Sequence, residues 1–198
     1  MRILALFVGI VLAAGCTSSP STQPSTSTSG PASPVPSSEV VTPTAVVRPC
    51  ATGDVGAGAV WWTGATAEMA GGVTLYDLAP EACSVAGSVG IELRDASGKA
   101  LTLQVKPFGT PAPSLVVLRP GLGTPAIDDG PIEGRAGVQI FWSNWCGKVP
   151  LGPGTVVLTV PGVGELSAPA ADLRPPRCDA PSAPSTFSVG PIEPQLPG

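Results

Sequence analysis

Histidine is absent from all 198 residues. Without imidazole there is no Ser-His-Asp or Cys-His activation of a nucleophile, no histidine general acid–base catalysis, and no metal site built on ring nitrogen. Charge is also scarce: Asp, Glu, Lys and Arg make up 12% of the chain, and the formal net charge is -4. That sign and that sparseness argue against a nucleic-acid partner. Aromatics amount to only 5%. No C-x-x-C pair occurs, so the cysteines lack the close spacing of a structural zinc site. Helix-period apolar stretches are missing, and Ala65 to Ala70 is the one segment suited to a short helical turn. Glycine and proline, by contrast, number 25 each, the profile of a loop-rich all-β domain.

The start of the chain is different in kind. Arg2 precedes an apolar stretch from Ile3 to Leu12. At about ten residues this stretch has the length of a secretory signal core and is too short to span a bilayer. Ala13, Ala14 and Gly15 are small enough for a signal peptidase, and Cys16 follows at once. The order resembles the bacterial lipoprotein signal, whose cysteine thiol receives a diacylglyceryl group before cleavage. The expectation is a leader over residues 1–15 and a membrane-anchoring lipid on Cys16. Two acyl chains hold a protein stably where one is marginal, at about 0.8 kcal/mol per buried methylene. Removal of Arg2 with the leader takes the net charge from -4 to about -5.

Residues 16–48 read as a tether. Thr17 to Arg48 are almost all Ser, Thr, Pro, Gly, Ala and Val, with no aromatic residue and no apolar period. Such a stretch buries too little surface to offset the entropy of ordering it. Extended, it would reach on the order of 100 Å; as a coil, roughly 30 Å. Residues 49–191 are the expected folded domain and 192–198 a flexible tail. The roughly 140 residues beyond Cys50 suffice for one hydrophobic core.

Four cysteines remain after Cys16: Cys50, Cys83, Cys146 and Cys178. An even number in an exported domain reads as two disulfides. Of the three pairings, Cys50–Cys83 with Cys146–Cys178 is favoured, because each then closes a local loop of roughly thirty residues.

Strand patterns fill the interval. Val89, Ile91 and Leu93 alternate with Gly90, Glu92 and Arg94, and Asp95 to Gly98 makes a turn. Leu101 to Lys106 alternates again, so the two runs predict a β-hairpin. Further strands are expected at 59–63, 73–78, 114–118, 137–143, 155–160, 165–168 and 186–189. In the strand at 137–143, Val138, Ile140 and Trp142 should point inward. Eight or nine short strands with frequent turns imply an all-β, immunoglobulin-like antiparallel β-sandwich, with a small β-barrel as the alternative.

Several of these pieces recur in a fixed order. Cys83-Ser84-Val85-Ala86-Gly87 opens the hairpin, and Leu118-Arg119-Pro120-Gly121 follows. Trp142-Ser143-Asn144-Trp145-Cys146 and Pro176-Arg177-Cys178-Asp179-Ala180-Pro181 come next, and Ser185 to Val189 closes the set. This order resembles the actinobacterial domain of unknown function 4232 family, found in secreted proteins and lipoproteins. The similarity covers residues 50–191. It implies an exported sandwich, and the family has no established activity whose residues could be carried over.

Four groups of side chains are candidate sites. Trp61 and Trp62 are adjacent, so in a strand one faces the core and the other is exposed enough to stack on a sugar or anchor a partner. Trp142 and Trp145 read as packing around the Cys146 disulfide. Asp128, Asp129 and Glu133 share a Gly/Pro-rich loop; three carboxylates there suit calcium or an acid–base pair, although their spacing matches no calcium loop. Gly56-Ala57-Gly58 and Gly121-Leu122-Gly123 do not lead from a strand into a helix, so they read as turns rather than phosphate loops. The expectation is a non-catalytic envelope module without cofactor or metal, meeting an envelope protein or a cell-wall glycan. The alternative is a histidine-free hydrolase using the loop carboxylates.

Overall fold

The computed structural model describes residues 46–64, 67–110, 115–126, 132–148 and 153–195. The expected leader, Cys16 and the tether as far as residue 45 lie outside the described residues, as do Asp128 and Asp129. Among the described residues there are twelve strands and no helix. They are β1 (Arg48–Pro49), β2 (Val55–Ala57), β3 (Trp61–Thr63), β4 (Glu68–Asp77), β5 (Cys83–Val85) and β6 (Gly90–Arg94). The second half holds β7 (Gln104–Pro107), β8 (Val116–Leu118), β9 (Ala136–Ser143), β10 (Gly154–Val160), β11 (Gly164–Ala170) and β12 (Thr186–Pro194).

Alternation sets the faces. In β9, Ala136, Val138, Ile140 and Trp142 are buried, while Gly137, Gln139, Phe141 and Ser143 lie on the outer face. β9 is central in a six-stranded sheet of order β2-β4-β9-β12-β7, with β3 also paired to β4. Two three-stranded sheets, β1-β5-β8 and β11-β10-β6, face it. One continuous core joins all of them, with Leu75, Ile140 and Phe187 from the large sheet meeting Leu118 of β8 and Leu93 and Leu158 of the third sheet. Each such buried side chain stabilises the fold by about 1.5–3 kcal/mol. The result is an all-β sandwich carrying the disulfides Cys50–Cys83 and Cys146–Cys178, as the spacing favoured. Not every pairing is antiparallel: β1 runs parallel to β5, and β7 parallel to β12.

The second parallel pair corrects the expected hairpin. The turn forms: Gly98 takes φ 78°, its N–H donates to the Asp95 carbonyl at 2.9 Å, and the Asp95 carboxylate accepts from Ser97 and Lys99. After one bridge, Arg94 to Ala100, the chain leaves β6. Leu101 and Leu103 do pack on the core, but they cross from one sheet to the other as they do so. Residues 104–107 then join β12, with Val105 exposed. The edge of β6 that forms a full ladder belongs to β10, with Leu93 opposite Val156 and Ile91 opposite Leu158.

Other boundaries move less. Gly56 and Ala57 lie in β2, opposite Tyr76 and Leu75, and do not form a turn. Of the segment suited to a helical turn, Glu68 to Ala70 belongs to β4. Arg48, the last residue assigned to the tether, begins β1. At the other end β12 continues to Pro194, so 192–194 are strand rather than tail. The Gln195 N–H then donates to the Arg135 carbonyl at 3.0 Å.

Candidate functional site

The outer face of the large sheet carries an open groove of about 550 Å³. Strand register dictates what lies in it. Trp61 sits opposite Gly72, and Gly72 opposite Gln139, which places these three in one cross-strand row. Two residues along, Thr74 faces Gly137, and Gly137 faces Glu193. Adjacent strands lie about 4.8 Å apart, so each row spans roughly 10 Å. The central position of each row is glycine, so backbone forms the floor.

Trp61 is held flat on that floor. A methyl group placed on Gly72 would sit 2.7 Å from Cε2, Cζ2 and Nε1 of the Trp61 indole. One face of the ring therefore covers the Gly72 backbone, which is buried although it lies on the outer face. The side chain remains 41% exposed. Trp62 does the same on the inner face, lying against Gly71, with ring centroids 6.5 Å from both Trp142 and Phe187. The expected division holds: Trp62 packs on the core and Trp61 is exposed. The Trp62 Nε1 is buried without a hydrogen-bond acceptor among the described residues.

The far wall is also anchored. Pro125 and Ala126 line the groove, from a loop whose approach is permitted by Gly58; a methyl there would sit 2.6 Å from Pro125 Cγ. Arg135, only 2% exposed, holds the base of this loop by donating from Nη2 to the carbonyls of Leu122 and Gly123 at 2.8 and 3.4 Å. Gln195 closes the end, donating from Nε2 to Thr74 Oγ1 at 2.8 Å. Residue pattern alone did not single out Gly72, Gly137, Gln139, Arg135 or Gln195. The one available signal was the Gly71-Gly72 pair inside a strand pattern, since glycine there marks a close approach.

The remaining candidates separate. Trp142 is buried, donates from Nε1 to Ser185 Oγ at 3.0 Å, and stacks edge-on against Trp145 at 5.5 Å. Trp145 donates to the Lys148 carbonyl at 2.8 Å. Both are packing residues beside Cys146, as expected. Glu133 pairs with Arg119 at 2.8 Å, and both side chains are 60% exposed. Gly121 takes φ 79° in the turn after Pro120. Among the described residues no three Cys, Asp or Glu side chains gather as metal ligands, and no helix is long and apolar enough to cross a membrane.

No protein-family model, no curated protein and no solved structure matches the chain.

Proposed function

We propose that this protein is a cell-envelope lipoprotein that displays a non-catalytic binding module. A lipid on Cys16 anchors it to the outer side of the cell membrane, and residues 17–48 carry the sandwich away from the bilayer. The contact face is the groove beside Trp61. The observation that carries this reading is the Trp61–Gly72 pair: a large ring is kept exposed, fixed in orientation and set beside an unfilled floor. Aromatic side chains held this way lose little entropy on binding and bury much area. The two disulfides support an oxidising compartment. The cysteine order that resembles the actinobacterial family points the same way.

The test has two arms. Mass spectrometry of the protein from native membranes should find an N-terminal diacylglyceryl cysteine at residue 16; an intact Met1 would overturn the anchor. Retention of the purified full chain on isolated envelopes should fall at least fivefold in Trp61→Ala. Unchanged retention in that variant would overturn the groove as the contact face.

A further inference from the structure

Resting on the groove as contact face, we infer that its ligand is an uncharged saccharide chain. Three features of the lining select that chemistry. Among the described lining residues the one large apolar side chain that is exposed is aromatic, Trp61; Val73 and Val138 border the groove from strand positions whose side chains are turned into the core. A protein–protein interface has a more apolar, charge-depleted centre, whereas here Leu, Ile and Met are missing from the described lining and polar groups stand next to the single ring. A sugar ring needs the opposite: one flat apolar surface for its C–H face and dispersed polar groups for its hydroxyls.

Those polar groups are present in the right kinds. Thr74 offers a hydroxyl whose oxygen also accepts from Gln195 Nε2, Gln139 offers an amide that both donates and accepts, and Glu193 offers an acceptor. They lie along the two rows that flank the glycine floor, so a ring resting on Trp61 has Gln139 across the floor and Thr74 and Glu193 one row along. Charge narrows the class further. Glu193 is the one charged residue among the described lining residues, and no lysine or arginine accompanies it. A phosphate- or carboxylate-bearing polymer would therefore meet a like charge without a counter-ion. The groove opens to solvent along the sheet face and is closed at one end by Gln195, so it receives a chain laid on the sheet rather than one threaded through.

Gly137 supplies a clean test. A methyl on Gly137 would meet only Gln195, at 3.7 Å or more, and its φ is not positive, so a Cβ is accepted there in ordinary contact, on the groove side of the sheet. Gly137→Val thus fills the floor while improving strand propensity. The full acylated chain in detergent micelles is titrated with uncharged glucose, mannose and N-acetylglucosamine oligomers and with polygalacturonate fragments. Binding is followed by calorimetry and tryptophan fluorescence. Saturable binding of at least one uncharged series is expected, tighter for longer oligomers, with no binding of the polyuronate. Gly137→Val and Trp61→Ala should each weaken it at least tenfold, Gln139→Ala by about threefold to tenfold, while Trp61→Phe keeps part of it. Melting of Gly137→Val should match the parent.

Absence of saturable binding to every uncharged series overturns the inference, as does wild-type affinity in a folded Gly137→Val protein. The two readings fail differently. If no sugar binds but Trp61→Ala still loses envelope retention, the saccharide assignment falls and the contact face stands, with a protein ligand indicated. If Trp61→Ala also keeps full retention, both fall.

Discussion

Asn144 holds the peptide groups of Ala180 from both sides. Its Oδ1 accepts from the Ala180 N–H at 2.9 Å, and its Nδ2 donates to the Ala180 carbonyl at 2.9 Å. The same side chain reaches the Asp179 N–H at 3.1 Å and the Ala183 carbonyl at 3.0 Å. To do this the Asn144 backbone takes φ 55°, the one non-glycine residue with positive φ among those described. The loop after β9 and the segment before β12 are thereby joined beside the Cys146–Cys178 bond.

Two separable costs follow for Asn144. Asn144→Gly keeps the backbone free and loses the side-chain bonds, for an expected destabilisation of about 1–2 kcal/mol. Asn144→Ala adds the left-handed penalty, roughly 1 kcal/mol more. Denaturant midpoints of the two variants measure the difference; equal midpoints would show that the backbone conformation relaxes away once the side chain is gone.

Trp61 and Gly72 should show a change of sign. Gly72→Ala in the parent forces the indole off the floor and is expected to cost about 1–3 kcal/mol. In a Trp61→Ala background that obstacle is gone. There the same substitution should be neutral or stabilise by about 0.4–1 kcal/mol, because alanine has less unfolded-state freedom to lose. A double-mutant cycle by thermal or denaturant melting reads this directly, and additive effects would contradict the contact.

The two disulfides differ in exposure, and reduction should distinguish them. Cys50 and Cys83 are 4% and 0% exposed, whereas Cys146 and Cys178 both face solvent. Limited treatment with a thiol reductant, followed by alkylation and peptide mapping, should label Cys146 and Cys178 first. Serine replacement of Cys50 and Cys83 is expected to cost about 2–5 kcal/mol. Simultaneous labelling of all four thiols would mean that the buried bond is reached only through global unfolding.

Acid should weaken the fold through two aspartates. Arg48 donates to Asp54, and the Ala51 N–H adds to it; together they hold that carboxyl below the usual aspartate range. Asp95 is lowered by the Ser97 hydroxyl first, with backbone donors from Lys99 and Ser97 adding to it. A carboxyl that is more acidic folded than unfolded contributes its stability above the unfolded pKa, about 3.9. That contribution drains away as pH falls through the lower folded value. Asp95→Asn should therefore narrow its gap from the parent as pH is lowered from 6 toward 3, measured by denaturant melts at each pH. A constant gap would remove Asp95 from the account.

The legible part of the fold was its alternation. Val138, Ile140 and Trp142 announced the buried face of β9, and the local loop spacing favoured both disulfides. The pairing of Leu101 to Lys106 was not legible. Leu101 and Leu103 state that one side meets apolar surroundings, which either sheet can supply, and the choice rests on backbone partners far along the chain. The groove was legible in one residue only. Trp61 could be flagged as exposed because its neighbour had to be core, but the glycine floor depends on the β3–β4 and β4–β9 registers, which no local pattern encodes.

The Cys50–Cys83 bond has a mechanical consequence. It lies one residue beyond β1, a two-residue strand that would peel easily by itself. A pull from the N-terminal side reaches Cys50 and is passed through sulfur to β5 before it can unzip anything further in. β2, β3 and β4, with Trp61 and Gly72 among them, fall inside the covalent ring closed by that bond. A load passed from Cys50 to any point beyond Cys83 runs through the sulfur bond and bypasses those strands.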